Sequence, residues 1–423
     1  AADALYIEGV SSSVSYRLGK LEDVERAESY DLGLRVFVGQ RVAFVSSSDF
    51  SADALTALPG RAVAMARLAP EDKFAGLAPA EKLARDIPDL DLEDPAEPGA
   101  ERLIELARAV EGAALAVPGV TNSEGGGASF SRRAVALATS TGFYGRHAGT
   151  SHSIGVAVLA GEGVGMERDY DHASARHAGD LRDAAEIGRT AGEKAVKRLN
   201  PRKAKSQSVP VVFHPDEAAG LLGHFSGAIS GASIARGVSF LKDRMGRKVF
   251  APSVRIIDDP HRIRGLRSKP FDGEGVANRR MALVEDGVLT TWLLDCASAR
   301  QLGLETTGHA ARGTGGPPMP STTNLYLEPG TCTPEALIAD IEQGFYVTEL
   351  MGMGVNGVTG DYSRGAAGFW IEKGKIAYPV SEVTIAGNLK DMFLNLTPAS
   401  DLQFRHGTNS PTVRIEGMTL AGS

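Results

Sequence analysis

The sequence predicts an α+β fold in two domains, an amino-terminal α/β sheet-and-helix domain (residues 1–200) and a carboxy-terminal β-rich domain (residues 209–423). Three observations favour this fold class. The chain has 423 residues, more than the roughly 250 to 300 that one hydrophobic core usually serves. Helix-like and strand-like segments do not alternate regularly, which disfavours a doubly wound parallel sheet. The polar stretch at 201–208 predicts the boundary between the domains.

The amino-terminal half begins with β segments and continues with amphipathic helices. Period-two alternation over residues 10–48 predicts an antiparallel meander with a tight turn around Gly39. Hydrophobic periodicity predicts the next elements in chain order: a helix at 51–69 interrupted at Pro59 and Gly60, an acidic linker at 86–98, a helix at 101–116, strands at 134–160 and a helix at 180–199. The glycine-rich tract at 121–133 is interpreted as a loop between helix and strand. We expect the helices to cover one face of the sheet.

The carboxy-terminal half is predicted to consist mainly of hairpins. A strand at 209–213 leads into a helical region at 216–235. Asp-Gly in VEDGVL (284–289) and Lys-Gly in IEKGKI (371–376) supply the positive φ angles that tight hairpin turns need. Thr333, as an N-cap followed by proline, predicts one further helix.

Composition excludes several classes of function. The 45 basic and 52 acidic residues give a net charge of −7, so we expect no nucleic acid as a main partner. Cys296 and Cys332 are too few for a disulfide scaffold, and we interpret both as small buried residues. No apolar run reaches the roughly 18 residues of a membrane span, and the first residues lack a signal-peptide pattern, so we expect a cytoplasmic protein with no membrane partner. Because the sequence enters strand-like residues directly at Ala1, we expect a short helix to precede it in the whole protein.

Motifs for common catalytic chemistry are weak or missing. GMGVNG at 352–357 has the spacing of a dinucleotide fingerprint, but the residues after it lack a helical period. The sequence contains no H-E-x-x-H motif, in which two histidines hold zinc and the glutamate activates water. Glu217 and His224 share one side of a helix, but about 10 Å of helix separates them, which is too far for one ion. We interpret the four candidate histidines as polar or capping residues: His172, His177, His214 and His224.

Three segments carry a family resemblance: LNPRKAKSQSVPVVFHPDEAAGLLGH (199–224), RGLRSKPFDGEGVANRRMALVEDGVL (264–289) and GVNGVTGDYSRGAAGFWIEKGKIAYPVSEVTIAGNLKDMFLNL (354–396). They resemble the TldD/PmbA peptidase family, over nearly the full chain, and within it the PmbA (TldE) branch, which lacks the zinc motif. The resemblance implies an amino-terminal α/β domain joined to a β-rich carboxy-terminal domain, in agreement with the fold predicted above.

The resemblance also implies that parts of the family's zinc site are missing from this chain. The zinc-bearing TldD branch carries H-E-x-x-x-H in the helix after this strand and a cysteine close to its carboxy terminus. With the last histidine aligned on His224, Ala219 and Gly220 replace the family's histidine and glutamate. Residues 401–423 contain no cysteine. We therefore expect no catalytic residue, metal or cofactor in this chain, and zinc in a homologous partner.

As the resemblance implies, we interpret the chain as a non-catalytic subunit of a cytosolic metallopeptidase that acts on unfolded or small peptides. Its expected partners are a TldD-like zinc-bearing homologue and peptide substrates. The candidate contact residues are His224, Gly357, Gly360, Asp361 and Arg364. We expect Gly357, Gly360 and Gly365 to provide positive φ angles or a close backbone approach.

Two other hypotheses stay open. An independent hydrolase would use an unrecognised metal site built from His214, Glu217 and His224 together with residues distant in the sequence. A homodimeric peptide-binding scaffold would need no partner enzyme. Metal analysis of the purified protein separates the hydrolase from the other hypotheses, and co-purification from the native cell separates the subunit from the scaffold.

Overall fold

The computed structural model describes residues 1–422, and its fold is of the predicted α+β class. The amino-terminal half contains six strands: β1 (Ala2–Arg17), β2 (Lys20–Val38), β3 (Arg41–Ser47), β4 (Val120–Thr139), β5 (Tyr144–Ala160) and β6 (Glu167–Ala175). They form one antiparallel sheet in the order β3-β2-β1-β4-β5-β6. The predicted meander is confirmed as β1, β2 and β3, with Gly39 at φ 60° in the turn.

Three helices cover one face of this sheet: α1 (Ala52–Leu68), α2 (Ala100–Leu115) and α3 (Ala184–Lys197). Short 3₁₀ turns lie at Ala80–Lys82, Gly163–Gly165 and Ala178–Asp180. Val110 of α2 and Ile187 of α3 are fully buried in one cluster with Val158 of β5. Burial of such apolar stripes, more than helix propensity, holds the helices on the sheet.

Three predictions for this half were wrong in detail. Pro59 does not interrupt α1, because the helix buries Leu58 and Ala62 on its inner face and this packing offsets the lost hydrogen bond. The glycine-rich tract 121–133 is part of β4 and not a loop, because Gly126 leaves room for α2: a Cβ there would lie 2.6 Å from the Ala107 carbonyl oxygen. The third helix begins at Ala184, four residues later than predicted, because Asp183 caps it.

The carboxy-terminal half contains short helices and many strands. The helices are α4 (Pro215–Ala228), α5 (Gly231–Ala235), α6 (Cys296–Leu302), α7 (Pro334–Ile338) and α8 (Leu389–Leu394). The strands are β7 (Gln207–Phe213), β8 (Ile256–Asp258), β9 (Met281–Glu285), β10 (Val288–Leu289), β11 (Ala310–Ala311), β12 (Met319–Pro320), β13 (Leu325–Leu327), β14 (Gln343–Met351), β15 (Asp361–Glu372), β16 (Lys375–Asn388), β17 (Leu396–Pro398), β18 (Thr408–Asn409) and β19 (Val413–Ala421).

These strands form two main sheets and one small pair. One sheet has the order β10-β9-β8-β13-β18, the other has the order β16-β15-β14-β7-β19-β17, and β11 pairs with β12. A further pairing of β16 with β19 closes β7, β14, β15, β16 and β19 into a ring. The ring and α4 share the largest hydrophobic core, in which Phe213, Phe225 and Phe345 are fully buried. The first sheet ends at residue 175, and the ring begins at residue 207, within the polar stretch 201–208.

Turn and cap chemistry decides several local details. The predicted hairpin turns are confirmed, with Asp286 at φ 48° and Lys373 at φ 51°, each followed by a positive-φ glycine. Thr333 caps α7 as predicted. The helical region 216–235 breaks into α4 and α5, because Ser230 leaves the helix to form a bridge with Leu293.

Cys296 is buried, as predicted, whereas Cys332 is only partly buried, so its predicted burial was wrong. Within residues 1–422, no helix combines the length and the apolar character that crossing a bilayer requires.

Candidate functional site

The site is built around the start of α4, directly after β7. β7 lies between β14, to which it runs parallel, and β19, to which it runs antiparallel. His214 directly follows β7, and its Nδ1 accepts a hydrogen bond of 3.3 Å from the Asp216 amide. Pro215 occupies the first helical position. The predicted capping role of His214 is therefore confirmed.

A cleft opens between this helix start and the amino-terminal half. The cleft encloses about 150 Å³. We call it the α4 cleft and define it by five of its residues: His172, Arg198, His214, Glu217 and His406. His172 comes from β6 and Arg198 follows α3, so both halves of the chain form its walls.

Histidines surround the carboxylate of Asp216. Its Oδ2 lies 3.4 Å from Nδ1 of His214, and its Oδ1 lies 3.4 Å from Nε2 of His406. The hydrogen bond with His406 is the main reason why the pKa of Asp216 is lowered, although burial acts in the opposite direction. The ring of His172 lies 5.2 Å from that of His406. Sequence reasoning missed His406, because it lies in a segment without regular periodicity or a motif.

His177 lies apart from this cluster. Its Nε2 is 3.2 Å from Oδ1 of Asp91, outside the α4 cleft. His172 belongs to a strand, whereas His177 directly precedes a 3₁₀ turn.

The hypothetical metal site does not form. Among residues 1–422, no three His, Cys, Asp or Glu side chains come together in a way that could hold a metal ion. This includes His214, Glu217 and His224, because His214 caps α4 and His224 lies more than two turns further along the helix. The hypothesis of an independent hydrolase therefore has no metal-binding geometry in the described chain.

The pKa of Glu217 is shifted in the opposite direction to that of Asp216. Its pKa is raised to about 7, mainly by burial and then by the neighbouring carboxylates of Asp216 and Glu349. Arg364 opposes this rise. A carboxyl group that changes charge near neutral pH inside a cleft is typical of functional sites.

His224 and Arg364, both predicted contact residues, lie close together. The ring of His224 packs edge-on against Tyr362, with 6.0 Å between the centroids. Burial and the charge of Arg364 both lower the pKa of His224. Nε of Arg364 donates a hydrogen bond of 3.1 Å to the Met351 carbonyl oxygen. The strand β15 thus brings the charge of Arg364 close to His224 and Glu217 of α4.

The remaining predicted contact residues form the turn before β15. Gly360 has φ 87°, as predicted, and its carbonyl oxygen accepts a 2.7 Å hydrogen bond from the Leu389 amide. The positive φ expected for Gly357 was wrong, because this residue is exposed, has no positive φ and would have open space around a Cβ. The positive φ expected for Gly365 was also wrong, because it lies in the regular strand β15 with ordinary contacts. A close approach of either backbone to a peptide or partner stays a prediction. Asp361 accepts a 3.0 Å hydrogen bond from Nδ2 of Asn388.

Ala219 and Gly220, which the resemblance aligns with the zinc motif, lie on α4 at partly or fully exposed positions. Gly220 is exposed, and a Cβ at this position would meet no atom within 4 Å. Ala219 is half-buried. The helix could therefore carry a larger residue at Gly220 without collision at its Cβ.

Comparison with known proteins places the chain in one family. Three family models match it in succession: PmbA/TldA metallopeptidase domain 1 (residues 2–66), the central domain (residues 93–199) and the C-terminal domain (residues 206–422). Metalloprotease PmbA of Escherichia coli O157:H7 is 41% identical over 97% of this chain and 90% of its own length. The PmbA homologue of Haemophilus influenzae is 37% identical over 97% of this chain and 90% of its own length.

Solved structures agree with this assignment. The crystal structure of a Bacteroides thetaiotaomicron protein, described as a modulator of DNA gyrase, matches with a TM-score of 0.92 and 26% identity, covering 100% of this chain and 94% of that one. TldE of Thermococcus kodakarensis matches in fold with a TM-score of 0.88 and 21% identity, covering 100% and 96%. From its matching domains and its relatives, the chain belongs to the PmbA/TldD metallopeptidase family.

Proposed function

We propose that this chain is a zinc-less, non-catalytic, PmbA/TldE-like subunit of a cytosolic metallopeptidase that acts on unfolded or small peptides. The observation that carries the proposal is the surface of α4. Ala219 and Gly220 stand where the zinc-bearing branch of the family has its first histidine and its glutamate. Neither side chain can bind a metal or move a proton.

The surroundings of α4 support this proposal. A catalytic zinc site usually has three protein ligands and an activated water. Of the aligned positions, only His224 retains a ligand-type side chain, and its ring packs against Tyr362. Burial and the positive charge of Arg364 both lower the pKa of His224. The surroundings of this histidine therefore already contain one cation, the Arg364 guanidinium.

We further propose that the partner is a TldD-like homologue that holds the zinc. Three large apolar side chains are exposed on the connection between β14 and β15: Met351 (45% exposed), Met353 (94%) and Val358 (55%). Exposed apolar groups that lie together favour contact with another protein or with a peptide. Arg364 donates a hydrogen bond to the Met351 carbonyl oxygen, which supports a role of this segment in such contacts.

The experiment is reconstitution with the zinc-bearing homologue from the same cell. We expect one complex in size-exclusion chromatography, zinc in the homologue alone, and faster cleavage of an unstructured peptide by the mixture than by either protein. Met353→Asp should weaken the complex. Leu68→Asp, at a position on α1 that is 87% exposed, is the matched control and should leave the complex intact.

Two results would contradict the proposal. One is a stoichiometric zinc ion in this chain, with peptide cleavage that a chelator abolishes. The other is two unshifted chromatographic peaks at micromolar concentration, with peptide cleavage by the homologue unchanged by the mixture.

A further inference from the structure

Arg364 differs from Arg198 of the α4 cleft in forming no ion pair with a carboxylate of residues 1–422, although its positive charge acts on Glu217. Arg198 pairs with Glu167 and Asp169 at 3.5 Å and also with Glu349. Within the described residues, Arg364 forms no ion pair. Its Nε donates a hydrogen bond to the Met351 carbonyl oxygen. Its two terminal nitrogens are therefore free to donate.

A half-buried guanidinium whose two terminal nitrogens are both free to donate hydrogen bonds suits one kind of ligand. Two parallel N–H bonds match the two oxygens of a carboxylate, which makes such pairs stronger and more specific than bonds between neutral groups. The Nε bond to Met351 fixes the plane of the group, so less freedom is lost when a ligand binds.

The surface around Arg364 has room for a peptide main chain. A Cβ on Gly220, Gly223 or Gly227 of α4 would meet no atom within 4 Å, so this side of the helix is open. His224 stands between these glycines, and its edge-on contact with Tyr362 holds its ring in place. On the other side, Met351 and Met353 offer exposed and flexible apolar side chains.

We infer that Arg364 is the anchor of a carboxylate-binding site beside α4, which takes a carboxylate of a short peptide while its apolar side chains lie on Met351 and Met353. His224 lines the same site. The inference rests on the proposed function only in assuming that peptides reach this subunit. The carboxylate is either the peptide's carboxy terminus or an acidic side chain.

Binding to the full purified chain, without any partner, tests the inference. The probes are one fluorescent pentapeptide of alanine and leucine as the free acid, the same peptide as the carboxy-terminal amide, and an amide with one internal glutamate. We expect at least one carboxylate-bearing peptide to bind about tenfold more tightly than the plain amide, the usual size of a charge-assisted pair. The free acid and the glutamate amide then tell which carboxylate the site recognises.

Variants of Arg364 test whether this residue causes the preference for carboxylate-bearing peptides. Arg364→Gln should abolish the preference, whereas Arg364→Lys, which keeps the charge without the fork, should retain part of it. Arg236→Gln, which removes an equal charge from an exposed arginine after α5, is the control and should leave the preference unchanged.

The outcomes are separable from those of the proposed function. Equal affinity for all three peptides, absence of measurable binding, or a preference that survives in Arg364→Gln would overturn the inference. Each of these results leaves the complex with a zinc-bearing homologue untouched. A lost complex with an intact peptide preference would contradict the proposed function instead.

Discussion

Nε2 of His406 lies 3.4 Å from Oδ1 of Asp216, and this contact joins the first turn of α4 to the segment before β18. The two residues are far apart in sequence but form one electrostatic unit at the mouth of the cleft. Because the contact favours the charged carboxylate, the pKa of Asp216 is lower in the folded protein than in the unfolded chain. The unit should therefore stabilise the fold only where this carboxylate is ionised.

Asp216→Asn should destabilise the protein at pH 7 by at most about 1 kcal/mol, because the carboxylate is partly exposed and screened. A lowered pKa contributes stability above the ordinary carboxyl pKa, and that stability is lost as the pH falls towards the folded-state pKa. The difference in free energy of unfolding from wild type should thus shrink between pH 7 and pH 3. Asp243→Asn, at an exposed position, should show no such trend in the same denaturant titrations.

Glu217→Gln should have the opposite pH dependence. Because burial raises the pKa of Glu217 to about 7, its contribution to stability is present below the ordinary glutamate pKa and is lost as the pH rises to about 7. We expect the variant to be more stable than wild type at pH 8, by on the order of 1 kcal/mol, and similar at pH 4. Thermal unfolding at both pH values measures this. A constant offset between the two proteins would contradict it.

Ala219→His with Gly220→Glu should fold without restoring catalysis. The variant recreates H-E-x-x-x-H through to His224, and the open space at Gly220 accepts a glutamate without burying it. Two histidines still leave the ion short of the three protein ligands usual at catalytic zinc. We expect a melting temperature close to wild type, weak zinc uptake in elemental analysis and no cleavage of an unstructured peptide. Tight zinc binding with cleavage by the chain alone would show a nearly complete active site.

Gly360→Val should destabilise the turn before β15, by about 2 kcal/mol, because a β-branched residue at φ 87° is strained and its Cβ would lie 2.9 Å from Oδ1 of Asn388. Gly357→Val is the matched control, three residues away in the same segment. It has no positive φ and open space around the new Cβ, so its effect should stay within about 0.5 kcal/mol. Equal effects on the free energy of unfolding would show that the conformation of Gly360 does not matter.

Local signals in the sequence were sufficient for some of these features. The turn at Asp286 and the cap at Thr333 depend on a few neighbouring residues, and both were predicted correctly. The tract 121–133 was incorrectly predicted to be a loop. Its glycines suggest a loop as long as the helix that packs against them is not known. The proximity of Glu217 and Arg364 could not be predicted either, since it depends on how β15 passes α4 more than a hundred residues later in the chain.

The closed ring of β7, β14, β15, β16 and β19 has a mechanical consequence for the cleft. A strand that is paired with a neighbour on each side cannot shift without breaking both sets of backbone hydrogen bonds. The closed ring of strands that packs against α4 is therefore rigid. Any change in the width of the cleft must then occur where the two halves of the chain meet, as they do at the ion pair of Arg198 with Glu349 of β14. Because Arg198 lines the cleft, this ion pair has to break before the two halves can separate there.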